Sequence, residues 1–202
     1  RGHTFHPEVF QCVVVIDSTS LCIPDESLRP SDKAAWQLTG LMSDWVSLLF
    51  DRIFAIFSEQ SAEGKGSDLE SAIGEMCRSL TKAVFQSVSE DIYRGLLNKL
   101  LGFVRSKILP SSMDAIGHTV AAACSVNPPL ALREFMPFFH STLITETGVI
   151  HKLSYSELLW YFSIASRSVK HTGVAILNHK SQVMDIISAA MACPNKKIFK
   201  FG

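Results

Sequence analysis

The chain has 202 residues, 47% of them hydrophobic and 19% charged, with 19 Lys and Arg balanced by 19 Asp and Glu. That length holds one substantial core or a short run of repeats, and that apolar content excludes intrinsic disorder. With no basic excess to neutralise a phosphate backbone, direct nucleic-acid binding is not expected, and near-zero net charge favours self-association.

The first apolar stripe, Val9, Cys12, Val13 and Ile16, has the spacing of a helix, with Pro7 placed for its first turn. A loop with Pro24, Asp25 and Pro30 follows. The second stripe is the clearest: Leu38, Leu41, Met42, Trp45, Leu48, Leu49, Ile53 and Ile56 keep the helical period, and Ser43, Asp44, Ser47 and Asp51 line the other face. Residues 59–67, with Glu63-Gly64-Lys65-Gly66-Ser67, read as a flexible, solvated loop.

Leu69, Ile73, Met76, Leu80 and Val84 predict the next helix, with Ser67 as N-cap. Ile92, Leu96, Leu97, Leu100 and Phe103 predict another, ended by Pro110. Ser111 or Ser112 caps a helix carrying Met113, Ile116, Val120 and Ala123. Asn127-Pro128-Pro129 stops it and starts the next, with Leu132, Phe135, Phe138 and Phe139; Pro137 should kink or shorten that one. Ser154 and Glu157 form a capping box ahead of Leu158, Leu159, Phe162 and Val169. A last stretch runs from Val174 through Leu177, Val183, Ile186, Ile187 and Ala190.

These stripes predict an all-α chain of about eight helices with no sheet, because period-2 alternation is missing while the 3.6 period recurs. Alternate helices start about 40–50 residues apart, the spacing of degenerate HEAT-type repeats stacked as an α-solenoid. The expected organisation is a single solenoid segment over residues 1–202: a weaker first helix and loop at 5–24, the loop at 59–67, and stacked hairpins over 38–193. A closed bundle is the rival. Against it, many helices are apolar on more than one face, and Ile198-Phe199-Lys200-Phe201 makes an apolar end. Each hairpin therefore needs its neighbours as partners.

The five cysteines, Cys12, Cys22, Cys77, Cys124 and Cys193, are odd in number and form no C-x-x-C pair. Reduced thiols in a cytosolic or nuclear protein fit this better than a disulfide framework. The polar start, Arg1-Gly2-His3-Thr4, has no signal peptide and no initiator Met, which reads as a fragment or a processed chain. The longest run free of Asp, Glu, Lys and Arg, 115–132, contains His118, Asn127 and Pro128-Pro129, so no membrane span is expected.

No catalytic, cofactor or metal site is expected, and no binding residue can be named. Among the seven histidines, His3 and His6 are close in sequence but lack zinc spacing, and His118 reads as a hydrogen-bonded core residue. Ser79-Leu80-Thr81-Lys82 matches S-x-x-K without the S-D-N and K-T-G elements that penicillin-binding enzymes need. Gly64-Lys65-Gly66-Ser67 lacks the rest of a P-loop. The pairs Asp25-Glu26 and Glu90-Asp91 sit where helix N-termini favour negative charge. Lys196, Lys197 and Lys200 form a small basic cluster, read as solvated surface that an anionic ligand could use.

Four stretches, in this order and spacing, resemble the large single-chain HEAT-repeat proteasome activators of the proteasome activator complex subunit 4 type. They are Leu48-Leu49-Phe50-Asp51-Arg52-Ile53-Phe54-Ala55-Ile56, Asp68-Leu69-Glu70-Ser71, Pro128-Pro129-Leu130-Ala131-Leu132-Arg133-Glu134-Phe135-Met136-Pro137, and Glu157-Leu158-Leu159-Trp160. The resemblance covers roughly residues 38–190, more weakly 5–24. It implies a dome-like solenoid on the proteasome core particle that opens its gate, in nucleus and cytoplasm. It also implies ubiquitin-independent degradation of peptides and of unfolded or acetylated proteins, histones included, with a link to DNA repair. The partners implied are the core particle, reached through a longer parent chain, and neighbouring repeats of the same chain. The family's gate-opening tail, hydrophobic-Tyr-any, is not matched by Lys200-Phe201-Gly202, and its acetyl-lysine-binding region is not covered. No functional residue of the family transfers to a position here. A generic HEAT adaptor that binds partner helices, of the transport-receptor or phosphatase-scaffold type, is the alternative.

Overall fold

The computed structural model describes residues 33–63, 67–193 and 198; within them, side chains are described from residue 43 onward except 60–71 and 73. Seven α-helices follow one another among the described residues: α1 (Lys33–Glu63), α2 (Ser67–Ser87), α3 (Glu90–Ser106), α4 (Met113–Val126), α5 (Pro128–Leu143), α6 (Tyr155–Val169) and α7 (Lys180–Ala192). The helix expected over Val9 to Ile16 lies outside the described residues, as do His3, His6, Asp25-Glu26 and Lys196, Lys197 and Lys200. The nearest approach to a strand among the described residues is one isolated bridge between Ile144 and Ile150. It closes a tight turn at Gly148, whose φ of 77° is one that L side chains rarely adopt.

The helices sort into two layers. α1, α3, α5 and α7 pack in succession as one layer, and α2, α4 and α6 as the other. This alternation is what stacked helical hairpins produce, each unit covering the apolar face of the one before. α4 is the most enclosed helix: α2 and α6 flank it and α5 packs against it. Every residue from 115 to 124 except His118 is buried. Its alanines, Gly117 and Cys124 suit that position, since small side chains let three neighbours approach at once.

The local signals of the sequence are largely kept. Asn127 ends α4 and starts α5, its side-chain oxygen accepting from the Leu130 N–H at 3.3 Å. The capping box at α6 is complete: Glu157 N–H donates to Ser154 Oγ at 3.3 Å, and Ser154 N–H to Glu157 Oε2 at 2.7 Å. Glu90 and Asp91 occupy the first turn of α3, and Glu90 also pairs with Arg94.

Several expectations are corrected. The loop expected over 59–67 is shorter: α1 continues to Glu63 and α2 begins at Ser67, with only 64–66 outside the description. Nothing before Gly64 is a poor enough helix former to stop propagation. Pro137 does not shorten α5, which runs through it to Leu143. Pro137 and Arg133, the residue whose carbonyl loses its helical donor, are both on the solvent side, where the missing bond costs least. The buried stripe of α1 is Val46, Leu49, Phe50, Ile53, Phe54 and Phe57, while Leu48 is 56% exposed. Phe50, Phe54 and Phe57 face the core with Leu49 and Ile53, while Leu48 turns to solvent. The expected last helix splits into a 3₁₀ segment, Gly173–His179, and α7. Val174 and Leu177 are then left on the surface instead of in the core.

Candidate functional site: the seams between stacked helices

Polar side chains tie neighbouring helices together at the seams, most of them reaching the backbone of the partner helix. The Tyr93 hydroxyl of α3 donates to the Ala123 carbonyl at 2.9 Å, in the last turn of α4. The Asn127 N–H reaches the same carbonyl only at 3.5 Å, so the buried phenol supplies its shorter bond. Burial holds the Tyr93 hydroxyl well above the usual tyrosine range, and Cys124 nearby adds to it. Within the layer of α1, α3, α5 and α7, the Lys99 ammonium of α3 donates to three acceptors of α1: the Ser47 carbonyl at 2.9 Å, Ser47 Oγ at 2.7 Å and Asp51 Oδ2 at 2.7 Å. All three donors of the ammonium are thereby used.

Ser112 corrects its sequence reading. It occupies the N-cap position of α4 but makes no cap; its hydroxyl donates to the Phe57 carbonyl of α1 at 2.7 Å. The 3₁₀ turn Pro110–Ser112 holds Ser112 buried against α1, with its hydroxyl turned to the Phe57 carbonyl and no helix N–H of α4 reaching it. His140 of α5 meets Asp185 of α7 at 3.0 Å. On α6, Arg167 pairs with Asp114 of α4.

Close backbone approach completes the seams. A Cβ on Gly74 of α2 would lie 3.2 Å from the Cα of Ala115 in α4, so glycine sets how near these helices come. A Cβ on Gly117 would collide with Arg167 Cδ.

The expected chemistry-bearing residues do not converge. Cys77 and Cys124 are buried free thiols; burial pushes Cys77 up to about 12 and Cys124 higher still, so neither supplies a thiolate. Ser79 and Lys82 are exposed on α2, separated by the buried Thr81. His118 is half-buried on a charged face, not in the core. No group of three or more His, Cys, Asp or Glu that could hold a metal occurs among the described residues. Among them, too, no helix is long and apolar enough to cross a membrane. What sequence reasoning missed is the set of polar seam residues Tyr93, Lys99 and Ser112: nothing in their local spacing tells which distant helix they reach.

The seams are features of a repeat stack, and comparison with known proteins places the stack. Residues 25–201 match the family described as the mid HEAT repeats region of proteasome activator complex subunit 4. The chain is similar to a Xenopus laevis protein named proteasome activator complex subunit 4, with 23% identity over 190 residues. That alignment covers 87% of this chain and 10% of the relative. It is also similar to a Danio rerio protein named proteasome activator complex subunit 4B, with 22% identity over 194 residues, 89% of this chain and 11% of the relative. The chain thus spans about a tenth of the length of these relatives, and it belongs to the mid HEAT-repeat family of proteasome activator complex subunit 4.

Proposed function

We propose that this chain is a scaffold segment of a proteasome activator. Within a longer solenoid it forms part of the wall that caps the proteasome core particle. The assembly promotes ubiquitin-independent degradation of peptides and of unfolded or acetylated proteins, in nucleus and cytoplasm. The segment itself is a non-catalytic regulator. The observation that carries this reading is the family match over residues 25–201, nearly the whole chain.

The physical role follows from the architecture. A repeat contacts only its neighbours, so reach and curvature come from repetition, and each seam must resist bending. Side chains such as Leu97 and Leu100, fully buried in α3, hold adjacent units in register.

The test uses a full-length relative carrying this segment and a fluorogenic peptide assay with the core particle. Leu97→Asp buries an unpaired charge and should cost several kcal/mol locally. Weakened binding to the core particle and lost peptide stimulation are expected, while the isolated segment should not stimulate at all. Stimulation by the isolated segment would place a gate-opening element inside it and overturn the scaffold reading. Full activity of the Leu97→Asp protein would remove the segment from the wall.

A further inference from the structure

Three helices of one layer bring charged and titratable groups together over α4. Asp114, Gly117 and His118 share a face of α4, at i, i+3 and i+4. Arg167 crosses from α6 along that face. It donates to the Asp114 carbonyl at 2.8 Å and to the Asp114 carboxylate, and its stem fills the space that a Gly117 side chain would need. On the other flank, α2 approaches α4 closely at Gly74 and Ala115, and the Glu75–Arg78 ion pair lies in the adjoining turn. The half-buried His118 imidazole is therefore faced by Glu75 and Arg78 from α2, Asp114 from its own helix and Arg167 from α6.

With neutral imidazole, two cations and two anions balance, and each arginine has its own carboxylate. A proton on His118 adds a third cation to this half-buried group. Both carboxylates that could compensate it are taken: Glu75 holds Arg78, and Asp114, one helical turn from His118, holds Arg167.

We propose that protonation of His118 draws Asp114 away from Arg167 and loosens the seam between α4 and α6, so that the stack contains an acid-sensitive joint. Partial burial, then Arg167 and Arg78, hold His118 below the usual histidine value, and Glu75 and Asp114 do not offset them. The open seam removes Arg167 and the cover of α6 from the imidazole and so takes up the proton more readily than the closed one. Closure is at full strength above the ordinary histidine value of about 6.5 and is lost as pH falls toward the lowered value of the closed form.

Hydrogen exchange on the whole chain, corrected for the intrinsic effect of pH, tests the joint. From about pH 7.5 to about pH 5.5, α6 should lose protection while α3 keeps it, since a histidine changes charge in this range. The limiting effect is about tenfold per unit of difference between the open and closed pKa values. His118→Gln should abolish the acid response of α6 and retain its protection. Arg167→Gln should raise the His118 titration midpoint read by NMR. The same acid response of α6 in His118→Gln as in the parent chain would overturn the proposal. So would a His118 midpoint unmoved by Arg167→Gln, a readout that stands even if His118→Gln fails to fold.

Discussion

The indole N–H of Trp160 donates to the carbonyl of Val104 at 3.1 Å, across 56 positions of sequence and between the two layers. Val104 lies in the last turn of α3, where carbonyls have no helical partner, so a tryptophan of α6 completes the end of α3. Both residues are buried, at 1% and 0% exposure. Trp160→Phe keeps most of the apolar contact and removes the donor, leaving the carbonyl unsatisfied at a cost of about 1–3 kcal/mol. Trp160→Ala adds a cavity and should cost about 3–5 kcal/mol. Denaturant midpoints with unchanged slope would show this order; a Trp160→Phe protein as stable as the parent would mean that the hydrogen bond contributes nothing measurable.

Two buried hydroxyls have the opposite consequence. Thr81 Oγ1 and Ser163 Oγ are buried without a hydrogen-bond partner among the described residues. Thr81→Val is nearly isosteric and removes a group that lost its water on folding, so it should stabilise the fold by about 1 kcal/mol. Ser163→Ala should act in the same direction. Thermal unfolding of each single variant checks the sign.

The two seam glycines should respond differently. A side chain at Gly74 meets backbone, the Ala115 Cα at 3.2 Å, which cannot step aside. Gly74→Val should therefore overpack the seam of α2 and α4 and cost about 1–3 kcal/mol. At Gly117 the obstacle is the flexible Arg167 side chain. Gly117→Ala displaces it from Asp114 but gains about 0.5–1 kcal/mol of helix propensity, so the net effect should be small. Urea titrations of both variants would reveal the asymmetry.

Alkali should weaken the fold through its buried thiols. Cys77 ionises near 9.0 when exposed and is pushed up to about 12 by burial. Its folded value is raised, so its contribution is complete below about pH 9 and is lost as pH rises toward 12. Cys77→Ala should flatten this part of the stability profile. In peptide-mapped maleimide labelling at neutral pH, Cys193, partly exposed, should react well before Cys77 and Cys124.

The capping box predicts a local effect. Ser154→Ala removes the acceptor of the Glu157 N–H and should cost about 0.5–2 kcal/mol. Hydrogen bonds from Ser154 hold the Glu157 carboxyl below the usual carboxylate range. Its contribution is present above the ordinary glutamate value and fades as pH falls through the lowered one. Loss of exchange protection confined to the first turn of α6 would check the assignment.

The sequence by itself determined the helices and most of their ends. Period-3.6 stripes, Asn127-Pro128-Pro129 and the Ser154–Glu157 box act within a few residues, and local geometry is all they need. It also determined that hairpins must stack, because stripes on more than one face cannot be covered within one hairpin. Only the tertiary structure decided which residues of a stripe are buried. Leu48 and Phe50 are both strongly apolar, yet one is 56% exposed and the other fully buried, because helix rotation is set by packing against α2 and α3. Ser112 turned from a cap into a tether to Phe57, and Lys99 joined α3 to α1, through contacts separated by about fifty positions. Such pairs leave no periodic trace in a single sequence, since nothing local links a side chain to the distant carbonyl that the stack brings to it.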